Sequence, residues 1–96
     1  MLRHIACIQF EPGFPEQSIE HFLQRLRELQ SLVPDIIKLS AGRNTLQGDG
    51  RFDIGLTVDF ADEAAYEQYN QHPEHLHVVA LYKEHKTQIA VADYWI

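Results

Sequence analysis

Phe52-Asp53-Ile54-Gly55-Leu56-Thr57-Val58-Asp59-Phe60 is the stretch on which the fold turns. Phe52, Ile54, Leu56, Val58 and Phe60 alternate with Asp53, Gly55, Thr57 and Asp59, so one side of an extended strand is wholly apolar and must be covered. A strand buried on one face needs a layer to cover it. The flanking segments supply one: Gly42-Arg43-Asn44 and Gln47-Gly48-Asp49-Gly50 read as a polar connection from a preceding strand over Ile36–Ala41. After Phe60, Asp62 is placed to cap a helix that carries Ala64, Ala65, Tyr66 and Tyr69. Tyr66 and Tyr69 are three apart and hence neighbours on its surface.

Upstream, Leu2, His4, Ala6, Ile8 and Phe10 alternate with Arg3, Ile5, Cys7 and Gln9, which is a first strand. Glu11-Pro12-Gly13-Phe14-Pro15 ends it, and Pro15 with Glu16 suits the opening turn of a helix. Ile19, Phe22, Leu23, Leu26, Leu29 and Val33 then recur every three or four residues, a core-facing stripe that stops before Pro34. Downstream, Pro73 starts another helix, capped by His72 or Gln71 and running to about His85 with Leu76, Val79, Leu81 and Tyr82 at helical spacing. Gln88–Ile96 is a last strand: Ile89, Val91, Asp93 and Trp95 alternate with Ala90, Ala92 and Tyr94. Asp93 among these neighbours is either paired, solvent-facing or lining a polar cavity.

The resulting order is β-α-β-β-α(α)-β, the split βαβ pattern of ferredoxin-like α+β domains with a four-stranded antiparallel sheet, and residues 1–96 form one domain. Helices cover one face of such a sheet. The first and last strands carry apolar groups on both faces, and no further element exists to cover the second. A second copy of the chain is the expected cover, two sheets closing face to face as a dimeric α/β barrel.

Composition narrows the functional classes. With 45% hydrophobic and 23% charged residues the chain reads as soluble and globular. A net charge of −6 opposes binding to nucleic acid or to anionic membranes. Cys7, the single cysteine, permits no internal disulfide, and no signal or spanning segment is visible, so a cytoplasmic location is expected. The glycines at 42, 48 and 50 lack the GK[ST] ending and following helix of a phosphate-binding loop. His72, His75 and His77 crowd together, but His77 lies about 200° around the helix from His75, so no metal site is expected. No motif calls for a cofactor.

Tyr69-Asn70-Gln71-His72-Pro73-Glu74-His75 gathers most of the usable chemistry. His75 in the first turn of its helix meets the positive end of the helix dipole, which disfavours imidazolium and favours a neutral, proton-accepting ring. The plain structural alternative is that these residues only punctuate a helix start, and that His4 is a satisfied core histidine.

The whole pattern resembles the stress-responsive α/β-barrel domain family of the dimeric α+β barrel superfamily. The resemblance covers nearly the entire chain. It is carried by His4, Pro34, Gly42-Arg43-Asn44, Val58-Asp59-Phe60-Ala61-Asp62-Glu63, Tyr69 with His72-Pro73-Glu74-His75, and Val91-Ala92-Asp93-Tyr94. It implies a ferredoxin-like fold and a homodimer with a central barrel, but no single activity; a small apolar, phenolic or carbonyl molecule is the expected ligand, in the barrel cavity. One branch, the plant polyketide cyclase type, is similar in using a pocket tyrosine and histidine for aldol-type ring closure. That branch implies His75 as base and Tyr69 as oxyanion donor, His4 as a further pocket histidine, and Asp93 as the carboxylate orienting the catalytic imidazole. Tyr66 and His72 complete the expected substrate-binding set. Ile54 stands where the cyclising branch has another histidine. Two classes follow, a ligand-binding protein or an enzyme of cyclase, lyase or isomerase type acting on a small carbonyl compound.

Overall fold

A computed structural model describes all 96 residues. Strand β1 spans Leu2–Phe10, helix α1 Glu16–Leu32, β2 Lys38–Arg43, β3 Ile54–Phe60, α2 Glu63–Gln71, α3 Pro73–Tyr82 and β4 Lys86–Trp95. The strands form one antiparallel sheet in the order β2-β3-β1-β4, which is the ferredoxin-like arrangement.

Alternation in β1 and β3 decides the faces. Ala6, Ile8 and Phe10 with Ile54, Leu56, Val58 and Phe60 point towards the helices and are buried there with Phe22, Leu23, Leu26 and Leu29 of α1. The opposite face is lined by Arg3, Ile5 and Cys7, with Thr57 and Ala92 flanking Ile5 in the register. Arg3 donates through Nε and Nη2 to the two carboxylate oxygens of Asp59 at 2.8 and 2.9 Å, and this is how a carboxylate only 4% exposed is tolerated there. The guanidinium holds Asp59 below the usual carboxylate range, burial opposing it.

Several boundaries move from the sequence expectation. β2 starts at Lys38 because Ile36 is used earlier, buried at 7% exposure in the turn after Pro34. β3 starts at Ile54 because Asp53 turns its carboxylate to accept from the Phe10 N–H at 2.8 Å. α3 ends at Tyr82 and β4 begins at Lys86, with the His85 carbonyl accepting from the Glu11 N–H at 2.8 Å and so clamping the two chain turns together. On α3 the buried residues are Val78 and Tyr82, whereas Leu76 and Leu81 are exposed.

The helices leave β4 open. Ile89, Val91 and Trp95 lie on the helix side, paired with Ile8, Ala6 and Leu2, yet Val91 remains 59% exposed. No helix is long and apolar enough to cross a membrane.

Candidate functional site

Between sheet and helices lies a cavity of about 50 Å³. It is on the helix side of the sheet. The barrel interior, where the sequence reading places the ligand, belongs to the opposite face. The floor comes from β1 through His4, Ala6 and Ile8; the period of two sends all three to the helix side. The roof comes from α3 through His75, Val78, Val79 and Tyr82, and Tyr69 enters from α2.

The junction of α2 and α3 positions the key pair. His72 ends one helix and begins the next, its Nδ1 accepting from the Glu74 N–H at 3.1 Å. That bond fixes the entrance of α3, so His72 is a cap outside the cavity. Pro73 follows at the first helical position and needs no donor. His75 then falls against Tyr69, with ring centroids 4.2 Å apart.

His75 Nδ1 lies 3.2 Å from the Asn70 carbonyl oxygen, which only accepts, so Nδ1 carries the proton and donates. In the neutral ring Nε2 therefore keeps its lone pair. Burial pushes the His75 pKa down, assisted by His4 and His72 and opposed by the Asn70 carbonyl. The neutral form expected from the helix dipole is thus maintained mainly by desolvation. Tyr69 is 2% exposed, and no group of the chain hydrogen-bonds its hydroxyl. Burial, with Tyr82 and Tyr66 nearby, holds its pKa well above the usual phenol range, so it remains an O–H donor.

Asp93 orients a different imidazole from the one anticipated. Register pairs β4 with β1 so that Asp93 stands opposite His4, and His4 Nδ1 donates to Asp93 Oδ1 at 2.6 Å. The ring of His4, 8% exposed, lines the cavity and packs on Tyr66 at 5.3 Å. Tyr66 and Asp93 face a second cleft of about 290 Å³, beside Glu67, Tyr94 and Trp95. Its phenol is pushed up by burial, then by Asp93 and Glu67. Of the six residues anticipated, His4, Tyr69 and His75 share the small cavity, Asp93 reaches it through His4, and Tyr66 adjoins it behind the His4 ring. Ile54 is a core residue at 1% exposure, and Leu56 is the β3 side chain that meets the cavity.

Sequence reading assigned Tyr82 to packing alone. Its separation of seven residues from His75, two helical turns, was the available signal that both share a face. A wider depression of about 530 Å³ lies under the loop between β2 and β3, beside Cys7, Arg43 and Arg51, and it brings together no acid–base pair. No three His, Cys, Asp or Glu side chains are grouped to hold a metal ion.

The family model for the Stress responsive A/B Barrel Domain, Dabb, matches residues 2–96. The chain belongs to this family. Solved structures share the fold over nearly the whole chain. A dimeric ferredoxin-like protein of unknown function from Thermobifida fusca is similar with a TM-score of 0.89 at 19% identity, over 99% of this chain and 90% of that one. A Dabb family protein with a ferredoxin-like fold from Mesorhizobium loti gives 0.83 at 22% identity, covering 99% and 95%. A hydroxynitrile lyase from Passiflora edulis gives 0.86 at 17% identity, covering 99% and 92%. Among curated proteins none matches the chain.

Proposed function

We propose that this Dabb protein is a homodimer that binds a small neutral carbonyl or phenolic compound between its sheet and helices, and moves a proton on it. One observation carries the reading: Tyr69 and His75, with ring centroids 4.2 Å apart, line the same largely apolar cavity, and His75 Nδ1 is turned to the Asn70 carbonyl so that Nε2 keeps its lone pair.

In this reading the ligand carbonyl accepts from Tyr69 O–H while His75 Nε2 removes a proton from the adjacent carbon. The electron pair moves onto the carbonyl oxygen, where the phenol stabilises the enolate. The reaction class is aldol-type cyclisation, lyase or isomerase chemistry. His4, held by Asp93, lines the same cavity beside the pair. The fold is compatible with lyase activity, as the Passiflora protein's name states for that protein. Dimerisation is supported by the apolar stretch around Ile5 on the open face and by the dimeric Thermobifida relative.

The test compares wild type, His75→Ala and Tyr69→Phe with small phenols and β-keto compounds, by binding titration and by deuterium exchange next to the carbonyl. Both variants are expected to bind about tenfold or more weakly and to lose exchange, with stability within ~1 kcal/mol of wild type. A large stability loss with unchanged ligand behaviour refutes the reading, because the two side chains then serve the fold.

A further inference from the structure

The cavity beneath α3 is too small for a whole organic ligand. Its volume of about 50 Å³ is less than two of the roughly 30 Å³ shares that a molecule takes in liquid water, which leaves room for a carbonyl and the carbon beside it but for no chain or ring. Whatever else a ligand carries must lie outside, and the lining shows where. The residues around the cavity are buried except for His75, Val79 and Ile89. His75 and Val79 stand one turn apart on α3, and Ile89, 43% exposed, is on β4, so the mouth opens along the seam between that helix and that strand. The packing agrees: α3 rests on α1 and α2 and has no comparable contact with β4.

The seam is apolar on both sides. On β4 the period of two puts Val91 on the same face as Ile89, about 7 Å further along, and Val91 is 59% exposed. On α3 Val78 is buried whereas Val79 is partly exposed, which sets the mouth on the Val79 side. Leu76, three residues earlier and hence a neighbour of Val79 on the helix surface, is 52% exposed. Asp93, the next residue on that face of β4, is held by His4 and ends the apolar track beyond Val91. The cavity lining itself contains no lysine, arginine, aspartate or glutamate. Single exposed aliphatic side chains need no explanation, but Leu76, Ile89 and Val91 border the opening of a cavity that holds only the head of a ligand.

Resting on the carbonyl-binding reading above, we propose that the seam between α3 and β4 binds the substituent of the substrate. The carbonyl and its neighbouring carbon enter the cavity at Tyr69 and His75, and an uncharged aliphatic chain leaves past Ile89 to lie against Val91 and Leu76. The substrate class is therefore a carbonyl compound with an aliphatic tail, not a small compact one.

The experiment uses methyl ethyl ketone and methyl hexyl ketone, which share the head and differ by four methylenes. Each is titrated into wild type, His75→Ala and the double variant Leu76→Ser, Val91→Ser, with NMR chemical shifts reading affinities down to the millimolar range. A methylene half withdrawn from water is worth about twofold, so wild type should prefer the longer ketone by about tenfold or more. The double variant should lose most of that preference, and His75→Ala should weaken both ketones while keeping it. Equal binding of the two ketones by wild type, or a full preference retained in the double variant, overturns the role of the seam while the carbonyl-binding reading stands. Light scattering on the double variant should give the wild-type oligomeric state; a change shows that a second copy of the chain covers the seam and overturns the proposal. Failure of wild type to bind either ketone, or binding that His75→Ala leaves unchanged, overturns both.

Discussion

Ile5→Asp should dissociate the dimer. Ile5 sits at the middle of β1 on the face away from the helices, with Thr57 on one side and Ala92 on the other. It is half-buried within the single chain, so a partner sheet would cover only the remainder of its side chain. That remainder is worth about 1 kcal/mol, below the 1.5–3 kcal/mol of a side chain taken fully out of water. Aspartate adds an unpaired carboxylate to the interface, at about 1–3 kcal/mol or more. Arg3, two residues away on the same face, is committed to Asp59 and offers no ready partner. In a twofold dimer each change occurs twice, giving about 4–8 kcal/mol in all. Each 1.4 kcal/mol is tenfold in affinity, so dissociation should be favoured by roughly three orders of magnitude or more. Light scattering on a dilution series of wild type and variant reads this directly. Val91→Asp is the control, since Val91 pairs with Ala6 on the helix side of the sheet. If Ile5→Asp remains as tight a dimer as wild type while Val91→Asp separates, the assignment of the open face as the interface is refuted.

The remaining predictions concern titration and positioning. Because the folded state depresses the His75 pKa, the unfolded chain binds the extra proton first; stability conferred by the neutral ring is complete above the ordinary imidazole value near 6.5 and declines as pH falls towards the lowered one. His75→Gln should flatten that part of a chemical-denaturation series between neutral pH and about pH 5, and an unchanged slope counts against a partly buried neutral imidazole. Asp59, held down by Arg3, contributes stability that is present above the unfolded carboxylate value of about 3.9 and lost as pH falls through the lowered folded value. Asp59→Asn should therefore move the acid-unfolding midpoint to higher pH, as followed by circular dichroism. Asp93→Asn replaces the carboxylate that receives the His4 proton, so the low-field Nδ1–H resonance of His4 should shift markedly or vanish in NMR spectra while the His75 signals stay in place.

What was legible in the sequence was whatever depends on residues near one another along the chain. The two-residue period of Leu2–Phe10 and Phe52–Phe60 defines buried strand faces because successive side chains must point to opposite sides. Asp62 and Pro73 mark helix starts because unsatisfied N–H groups there need a cap or a residue without a donor. The pairing of Tyr69 with His75 came from the family resemblance, and the structure brings the two rings to 4.2 Å across a helix end, one cap and a helix start.

Tertiary structure decided the rest. Asp93 meets His4 across 89 positions because pairing of β4 with β1 sets them opposite each other, and a one-residue slip would have sent that carboxylate to the other face. Asp59 is tolerated in its buried position only because Arg3 arrives from the neighbouring strand. Periodicity showed Tyr82 to be buried; it took the folded chain to make it line the same cavity as His75. Nor does alternation say which face of the sheet the helices take, and that choice puts the polar residues between sheet and helices and leaves Ile5 for a partner. Local sequence dictates backbone conformation through sterics and hydrogen bonding, whereas the meeting of distant polar groups depends on register and packing, which only the folded chain resolves.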